Sequence, residues 1–432
     1  MVKITDKIVI PSEIQKLVQK EIESVSDFAK EIENFLDKDI SELLSLILAG
    51  AIHLFASDIH LEPQEESVRL RVRLDGMLQD VFSFQAETYH LLLSRIKLLA
   101  GLKLNIHDRA QDGSFSVTLP NLEIEIRTSA LPADYGESIV MRILNPQTLK
   151  NIEELGLRDD LLELFKQEIQ KPNGMIIVTG PTGSGKTTTL YAFLRFLQKP
   201  EIKIITIEDP IEYRLEGISQ TEVHPEKGYD FANGLRSIVR QDPDVILVGE
   251  IRDKETAEIA LQAALTGHLV FSTLHTNDAP GAVPRLASLG ANPVNIAPAI
   301  NMVIAQRLVR KVCPKCALPR KITSEEFQML KSELSNLPKN IKIPKISQDL
   351  EVMEPKGCKY CNFTGYKGRM GIFEAFLIDS EMEDLILKKP SVSEMRKLAE
   401  KKGMVSMYKD GLIKVVEKIT TIEEVKRVAM ER

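Results

Sequence analysis

Four short apolar runs constrain this chain more than any other feature. Met175–Thr179, Ile204–Ile207, Val245–Val248 and Leu269–Phe271 do not alternate apolar with polar residues. A strand with one wet face alternates, whereas a strand buried on both faces reads as a continuous apolar run. Segments of helical period separate the runs. The pattern predicts a buried parallel sheet with helices on both faces. Each run also ends in polar residues. The first enters GPTGSGKTTTLY, Gly180–Tyr191. The second ends in Glu208-Asp209-Pro210-Ile211-Glu212, the third in Gly249-Glu250-Ile251-Arg252-Asp253, and the fourth in Ser272-Thr273-Leu274-His275. Open α/β sheets bind ligands beyond the carboxyl ends of their strands. Four polar strand ends in one sheet therefore predict one site.

The loop fits G-x-x-x-x-G-K-[ST], with Gly180, Gly185, Lys186 and Thr187 at the specified positions. Glycines let backbone N–H groups turn inward around phosphate oxygens. Lys186 supplies a point charge to the terminal phosphates, and Thr187 offers a hydroxyl to magnesium. The helix expected from Thr187 presents its positive end to the same place. A glycine-rich turn with a surface lysine is the alternative, but a strand before and a helix after are the context the motif requires.

Glu250 follows a buried strand, where a carboxylate holds the magnesium shell or orients water. Glu208, Asp209 and Glu212 form a second acidic cluster. At least one is expected to be a solvated or capping acid, and Glu212 is the favoured water-activating base. His268 and His275 flank one strand and would stand about 23 Å apart if extended, too far to share a metal. His275, at the carboxyl end of the strand, reads either as a sensor of the terminal phosphate or as a hydrogen-bonded structural histidine. His268 reads as a hydrogen-bonded structural histidine.

Elsewhere the period changes. Val68–Leu74 and Leu122–Arg127 alternate strictly, and Tyr89–Leu99 repeats at helical spacing. Residues 41–148 thus read as an α+β domain with a half-exposed sheet. Residues 1–40 are charged and weakly helical, an arm or linker. Arg69, Arg71 and Arg73 share one strand face, and by themselves form a solvated basic face; Arg127 and Arg142 lie on other strands. The four cysteines make two hooks, Cys313-Pro-Lys-Cys316 and Cys358-Lys-Tyr-Cys361. That fits a closed four-thiolate zinc site, with no position left for substrate. A redox pair lacks its thioredoxin-like context. There are 62 acidic and 56 basic residues and no tryptophan, which speaks against general nucleic-acid binding. The longest apolar run, near Leu43–Ile52, is too short to span a bilayer, and the N-terminus lacks a signal-peptide layout. The expectation is a cytoplasmic protein.

GPTGSGKTTTLY, TIEDPIEY, RQDPDVILVGEIRD and TGHLVFSTLHTNDA resemble the Walker A, Asp-box, Walker B and His-box segments of the secretion ATPase superfamily. ASDIHLEP, RLDG and LPADYGESIVMRIL resemble that family's second N-terminal domain, and the cysteine hooks its extension-motor branch. The resemblance spans about residues 40–432. It implies an α/β fold: a RecA-like P-loop NTPase core (149–310), an N-terminal α+β, PAS-like domain (41–148), a four-cysteine zinc module (311–372) and a helical C-terminal part (373–432).

The resemblance further implies a hexameric ATPase motor that hydrolyses ATP to power assembly of a type IV pilus or a type II secretion pseudopilus. Gly180, Pro181, Thr182, Gly183, Ser184, Gly185, Lys186, Thr187 and Thr188 would wrap the phosphates, with Glu208 and Asp209 beside the nucleotide. Glu212 would be the catalytic glutamate, Glu250 the Walker B carboxylate, and His268 and His275 the His-box pair. Thr187 and Glu250 would hold Mg2+, and Cys313, Cys316, Cys358 and Cys361 Zn2+. Arg127 and Arg142 would match arginines that reach the nucleotide from the N-terminal domain. The implied partner is an inner-membrane platform protein, with no nucleic acid and no membrane span of the chain's own. In two places the chain departs from its relatives. Gln111-Asp112-Gly113-Ser114 stands where many relatives read Gln-Asp-Gly-Arg. Only about 40 residues precede the second domain, where extension motors often carry a platform-docking domain. Two other readings make different demands. A nucleic-acid translocase with this core requires turnover stimulated by DNA or RNA, and a nucleotide-gated zinc scaffold requires binding without turnover.

Overall fold

A computed structural model of the chain describes residues 7–430, which form two compact units. The first contains residues 7–148 together with 313–317 and 355–367. Its sheet has seven strands in the order β1-β5-β6-β7-β2-β3-β4: β1 (Lys7–Val9), β2 (Asp58–Pro63), β3 (Val68–Leu74), β4 (Met77–Phe84), β5 (Gln111–Leu119), β6 (Leu122–Ala133) and β7 (Gly136–Leu144). Strand β1 runs parallel to β5, and the others pair antiparallel. In β3 the alternation is literal: Val68, Leu70, Val72 and Leu74 are buried between half-buried arginines.

Four helices accompany this sheet: α1 (Ser12–Glu21), α2 (Val25–Asn34), α3 (Ile40–His53) and α4 (Ala86–Leu99). Residues 43–52 of α3 are all buried, as expected of a helix apolar on every side. Residues 12–34 read from sequence as a charged arm, yet they bury Ile14, Val18, Phe28 and Ile32 in the same core. Only two or three apolar residues per helix are buried, so composition hid the stripe. Phe28 lies so close to α3 that a Cβ on Gly50 would stand 2.4 Å from its ring; only glycine admits that approach.

A buried ion pair supports the segment after α4. Lys97 is 1% and Glu137 5% exposed. Lys97 Nζ donates to Glu137 Oε1 at 2.6 Å and to the Ile106 carbonyl at 2.7 Å. His107 Nδ1 lies 2.5 Å from Glu137 Oε2.

The second unit contains residues 149–312, 318–354 and 368–430. Its chain order is α5 (Asp159–Glu168), β8 (Gly174–Thr179), α6 (Lys186–Leu197), β9 (Ile204–Glu208), β10 (Ser219–Glu222), α7 (Phe231–Val239), β11 (Val245–Val248), α8 (Lys254–Leu265), β12 (Leu269–Leu274), α9 (Ala282–Ser288), α10 (Pro293–Ala299) and β13 (Ile300–Val312). There follow β14 (Leu318–Lys321), α11 (Ser324–Glu333), β15 (Glu351–Glu354), β16 (Tyr366–Leu377), α12 (Ser380–Leu387), α13 (Val392–Lys401), α14 (Met407–Val416) and α15 (Ile422–Ala429). The sheet order is β10-β9-β11-β12-β8-β13-β16, with parallel pairing from β10 through β13. Both faces are dry. Met175, Ile177, Ile246 and Val248 face one apolar core, and Ile176, Val178, Leu247 and Phe271 face another. Between the cysteine hooks, Ile322, Leu330, Leu334 and Val352 join the first of these cores.

Removing one member of a buried pair leaves the other charge uncompensated, at a cost of about 3–5 kcal/mol. Lys97→Met is therefore expected to destabilise the first unit by about that amount, read as a lowered denaturation midpoint. A midpoint within 0.5 kcal/mol-equivalent of the parent (roughly the scatter of surface substitutions) would show that the pair is dispensable.

Candidate nucleotide site

Parallel pairing brings the carboxyl ends of β8, β9, β11 and β12 to one sheet edge. The loop after β8 turns sharply, with Gly180 at φ 147°, Gly183 at 77° and Gly185 at 89°. A Cβ on Gly180 would lie 2.5 Å from the Gln306 carbonyl oxygen, so the close backbone approach also demands glycine. Gln306, buried on β13, accepts from Thr189 of α6 at 2.7 Å. Lys186 Nζ reaches back over the loop to the carbonyls of Gly180 at 2.8 Å and Pro181 at 3.2 Å. Ser184 Oγ is buried without a hydrogen-bond partner. No side chain caps α6, so its first N–H groups face the loop. A backbone cradle, an orphaned hydroxyl, a lysine and a helix N-terminus together fit a polyphosphate. Pro181, Thr182 and Gly183 are exposed, while Thr187 and Thr188 are half-buried on the first turn of α6.

Burial pushes the Lys186 ammonium below its ordinary pKa, against the pull of the Glu250 and Glu212 carboxylates. Both acids thus act electrostatically on the loop lysine. Glu250 is held on two sides. His275 Nε2 lies 3.3 Å from its Oε2, and Arg252 pairs with its Oε1. Arg252 also approaches Asp209 at 3.6 Å. His275 is pinned through its neighbour. Thr276 N–H donates to Thr179 Oγ1 at 2.8 Å, at the residue preceding the phosphate loop. Glu208 is only 4% exposed, and its carboxyl meets Tyr191, Thr206 and Gln220. Burial is the main cause that raises its pKa. His268 sits at the opposite end of β12, where its Nδ1 donates to the Ala263 carbonyl at 3.0 Å.

With this geometry in place, similarity to known proteins can be read. Residues 34–427 match the family described as type II/IV secretion system protein. The chain belongs to this family. Type II secretion system protein E of Pseudomonas aeruginosa is 43% identical over 416 residues, covering 95% of this chain and 80% of the relative. The type IV pilus assembly ATPase PilB of Myxococcus xanthus is 40% identical over 412 residues, covering 95% and 71%. Among solved structures, the pilus retraction motor PilT with bound ADP aligns with a TM-score of 0.59 at 27% identity, over 88% of this chain and 95% of that one. Family membership and the phosphate loop together make this chain a P-loop ATPase.

In the first unit, Ser114, Arg127, Arg142, Asp58 and Arg73 stand directly opposite one another across β5, β6, β7, β2 and β3. Directly opposed residues share a face. Asp58 anchors the row, paired with Arg142 Nε at 3.1 Å and Arg73 Nε at 3.3 Å. Arg69 and Arg71, four and two residues before Arg73, both pair with Asp80, and Arg71 also with Glu62.

The four cysteines also converge in this unit, their sulfurs within 4.8 Å of one another. Cys313–Cys358, Cys316–Cys361 and Cys358–Cys361 are separated by 3.9, 3.7 and 3.8 Å. A tetrahedron of ~2.3 Å metal–sulfur bonds has edges of about 3.8 Å, so the set fits zinc. The second hook grips α2: Asn362 Oδ1 accepts from Val25 N–H at 2.8 Å, and Lys359 pairs with Asp27 at 3.0 Å.

Arg252, Thr179, Gln306 and Asp58 belong to these arrangements yet escaped the motif reading. Arg252 was legible within the GEIRD string. The others carry signals only once the strands are paired.

Proposed function

We propose that this chain is a ring-forming ATPase motor that powers assembly of a type IV pilus or a type II secretion pseudopilus. The observation that carries this reading is the convergence of the phosphate loop, Glu212, Glu250 and His275 at one sheet edge. It occurs in a chain that matches named assembly and secretion proteins over nearly its whole length. Lys186, the loop N–H groups and Thr187 bind the phosphates. Glu212 orients the attacking water, and Glu250, braced by Arg252 and His275, faces the metal. Thr187 and Glu250 offer the hard oxygen donors that Mg2+ takes, and the ion when bound neutralises phosphate charge. Arg127 and Arg142 supply cationic groups from the other unit, of the same chain or a neighbour. The four-cysteine cluster holds structural zinc. We place the protein in the cytoplasm, as a hexamer against an inner-membrane platform protein. Among the described residues no helix is long and apolar enough to cross a membrane.

Three measurements test this assignment. Lys186→Ala should abolish ATP turnover and weaken nucleotide binding. Glu212→Gln should keep Mg-ATP binding while turnover falls about 100-fold or more, within the range of general-base effects. Glu250→Gln should instead raise the magnesium requirement. Full turnover in Lys186→Ala would exclude the motor, and identical magnesium dependence in the two glutamine variants would exclude this division of roles.

Arg127→Ala and Arg142→Ala should bind ATP and hydrolyse it poorly, by up to ~10³-fold if they act as arginine fingers. Native mass measurement with nucleotide should give a hexamer. A fully active monomer would refute the ring.

Protein purified without a metal-affinity tag should carry one zinc per chain by elemental analysis. Cys361→Ser should lose the metal and expose α2 to hydrogen exchange, because its hook holds that helix, while ATP binding persists. Four reactive thiols and no metal would remove zinc from the assignment.

A further inference from the structure

One buried network in the second unit is unused by the phosphate contacts. Glu208 closes β9, four residues before Glu212. Its carboxyl group lies among neutral donors: the Tyr191 hydroxyl, Thr206 Oγ1 at 2.5 Å and Gln220 Nε2 at 3.2 Å. Gln220 continues the chain of contacts. Its Nε2 also donates to the Tyr213 carbonyl at 3.0 Å, and its Oε1 accepts from Leu215 N–H at 2.8 Å. The ring of Tyr191 meets that of Tyr213 edge-on, with centroids 6.2 Å apart. Residues 213 and 215 are thus gripped by two side chains that meet at Glu208. The loop they belong to carries Glu212.

The other end of the network is equally specific. Tyr191 lies on α6, the helix that begins with Lys186 and Thr187. Its hydroxyl is in the interior, away from any phosphate contact described here, and α6 is rigid between Thr187 and Tyr191. We propose that Tyr191 and Glu208 are positioning residues for Glu212, tying the phosphate-binding helix to the loop that aims the water-activating carboxylate. The inference rests on Glu212 having that role. Thr206 and Gln220 complete the grip from β9 and β10. Burial and the nearby Glu212 carboxylate both favour the neutral carboxyl form of Glu208, in which it can hold hydroxyl and amide partners without a counter-ion.

Orientation is worth rate only where a reacting group must be aimed. Loss of the grip should therefore lower kcat and leave nucleotide affinity alone. Tyr191→Phe removes one oxygen and keeps the ring against Tyr213. It is expected to lower kcat for Mg-ATP about tenfold, the scale of one hydrogen bond to a polar group, with KM and ADP affinity within about twofold. Gln220→Ala removes the bridge at its other end, and the same split is expected.

The deciding experiment is a double-mutant cycle with Glu212→Gln, with thermal unfolding and ADP binding measured on every variant. If Tyr191 acts through Glu212, Tyr191→Phe should cost nothing further in the Glu212→Gln background. The same loss in both backgrounds, or an unchanged kcat in both Tyr191→Phe and Gln220→Ala, would overturn the proposal. Full turnover in Glu212→Gln alone would instead overturn the role of Glu212, a result separable from the effect of Tyr191.

Discussion

Parallel pairing of β9, β11, β12 and β8 is the constraint from which the rest of the nucleotide site follows. Its register sets Val248 opposite Ile207 and Ser272, and Ser272 opposite Ile177. Every strand in the set therefore finishes at the same edge. The sheet interior cannot host the chemistry, because both its faces are apolar and dry. Polar groups collect where the strands stop, and the backbone there is held in place by the sheet itself. Gly249 N–H bonds to the Ile207 carbonyl at 2.8 Å, and Ile251 N–H to the Thr273 carbonyl at 3.1 Å. Glu250 thus stands on a loop fastened to both neighbouring strands. The same holds for His275, whose flanking residues are laced to Thr179. A scaffold of this kind holds each group within the small tolerance that water activation needs.

The strands and the phosphate loop were legible because their signals are local. A run such as Val245–Val248 declares burial on both faces within four residues, and the loop declares its glycines by spacing. The row of Arg127, Arg142, Asp58 and Arg73 was only half legible. Alternation gave the faces of Arg73 and Arg127 on their own strands, but register across four strands is set by turns and packing that no single segment encodes. Asp58 gave no sign of being the anchor, since a lone acid beside Ser57 reads as surface. The helices over residues 12–34 were hidden for another reason. Each spends most of its length in water and buries only a few apolar residues, so its composition resembles that of a solvated arm. The cysteine hooks announced a four-thiol cluster by spacing, yet nothing in the hook sequence pointed to α2. Asn362 finds Val25 across 337 positions.

Two buried acids, one in each unit, are held by contrasting means. Lys97 and Glu137 neutralise each other by direct contact, and the Ile106 carbonyl and His107 take up remaining hydrogen-bonding positions. Glu374, on β16, is held instead by backbone donors. Its two oxygens accept from the backbone N–H groups of Ala279 at 2.7 Å and Met407 at 3.0 Å. Burial is the dominant influence on it and raises its pKa. The sign of the linkage follows. An acid whose pKa is raised on folding binds more protons in the native state than in the unfolded state. Its contribution to stability therefore falls as pH rises from the ordinary carboxylate range through the raised value. The loop after His275 is consequently anchored by an acid whose N–H donors favour its charged form and whose burial opposes it.

The same contrast runs through the acids at the sheet edge. Glu208 is the last residue of β9 and Glu250 stands two residues past the end of β11, so both lie at the same sheet edge. Their partners separate them. Glu208 is sealed from water, and burial favours its uncharged carboxyl against the opposing pull of the Tyr191, Thr206 and Gln220 donors. Glu250 meets a guanidinium, which compensates a charge, and an imidazole nitrogen within hydrogen-bond reach, and it acts on the phosphate-binding lysine. Two glutamates on one edge thereby have different surroundings, which suit the proposed division between holding a loop and ligating magnesium. Sequence position cannot make that distinction, because both simply follow an apolar strand. It is made by Tyr191 and Gln220 on one side and by Arg252 and His275 on the other, of which only Arg252 lies near its glutamate in sequence, two residues on. Environment, rather than residue type, assigns the roles.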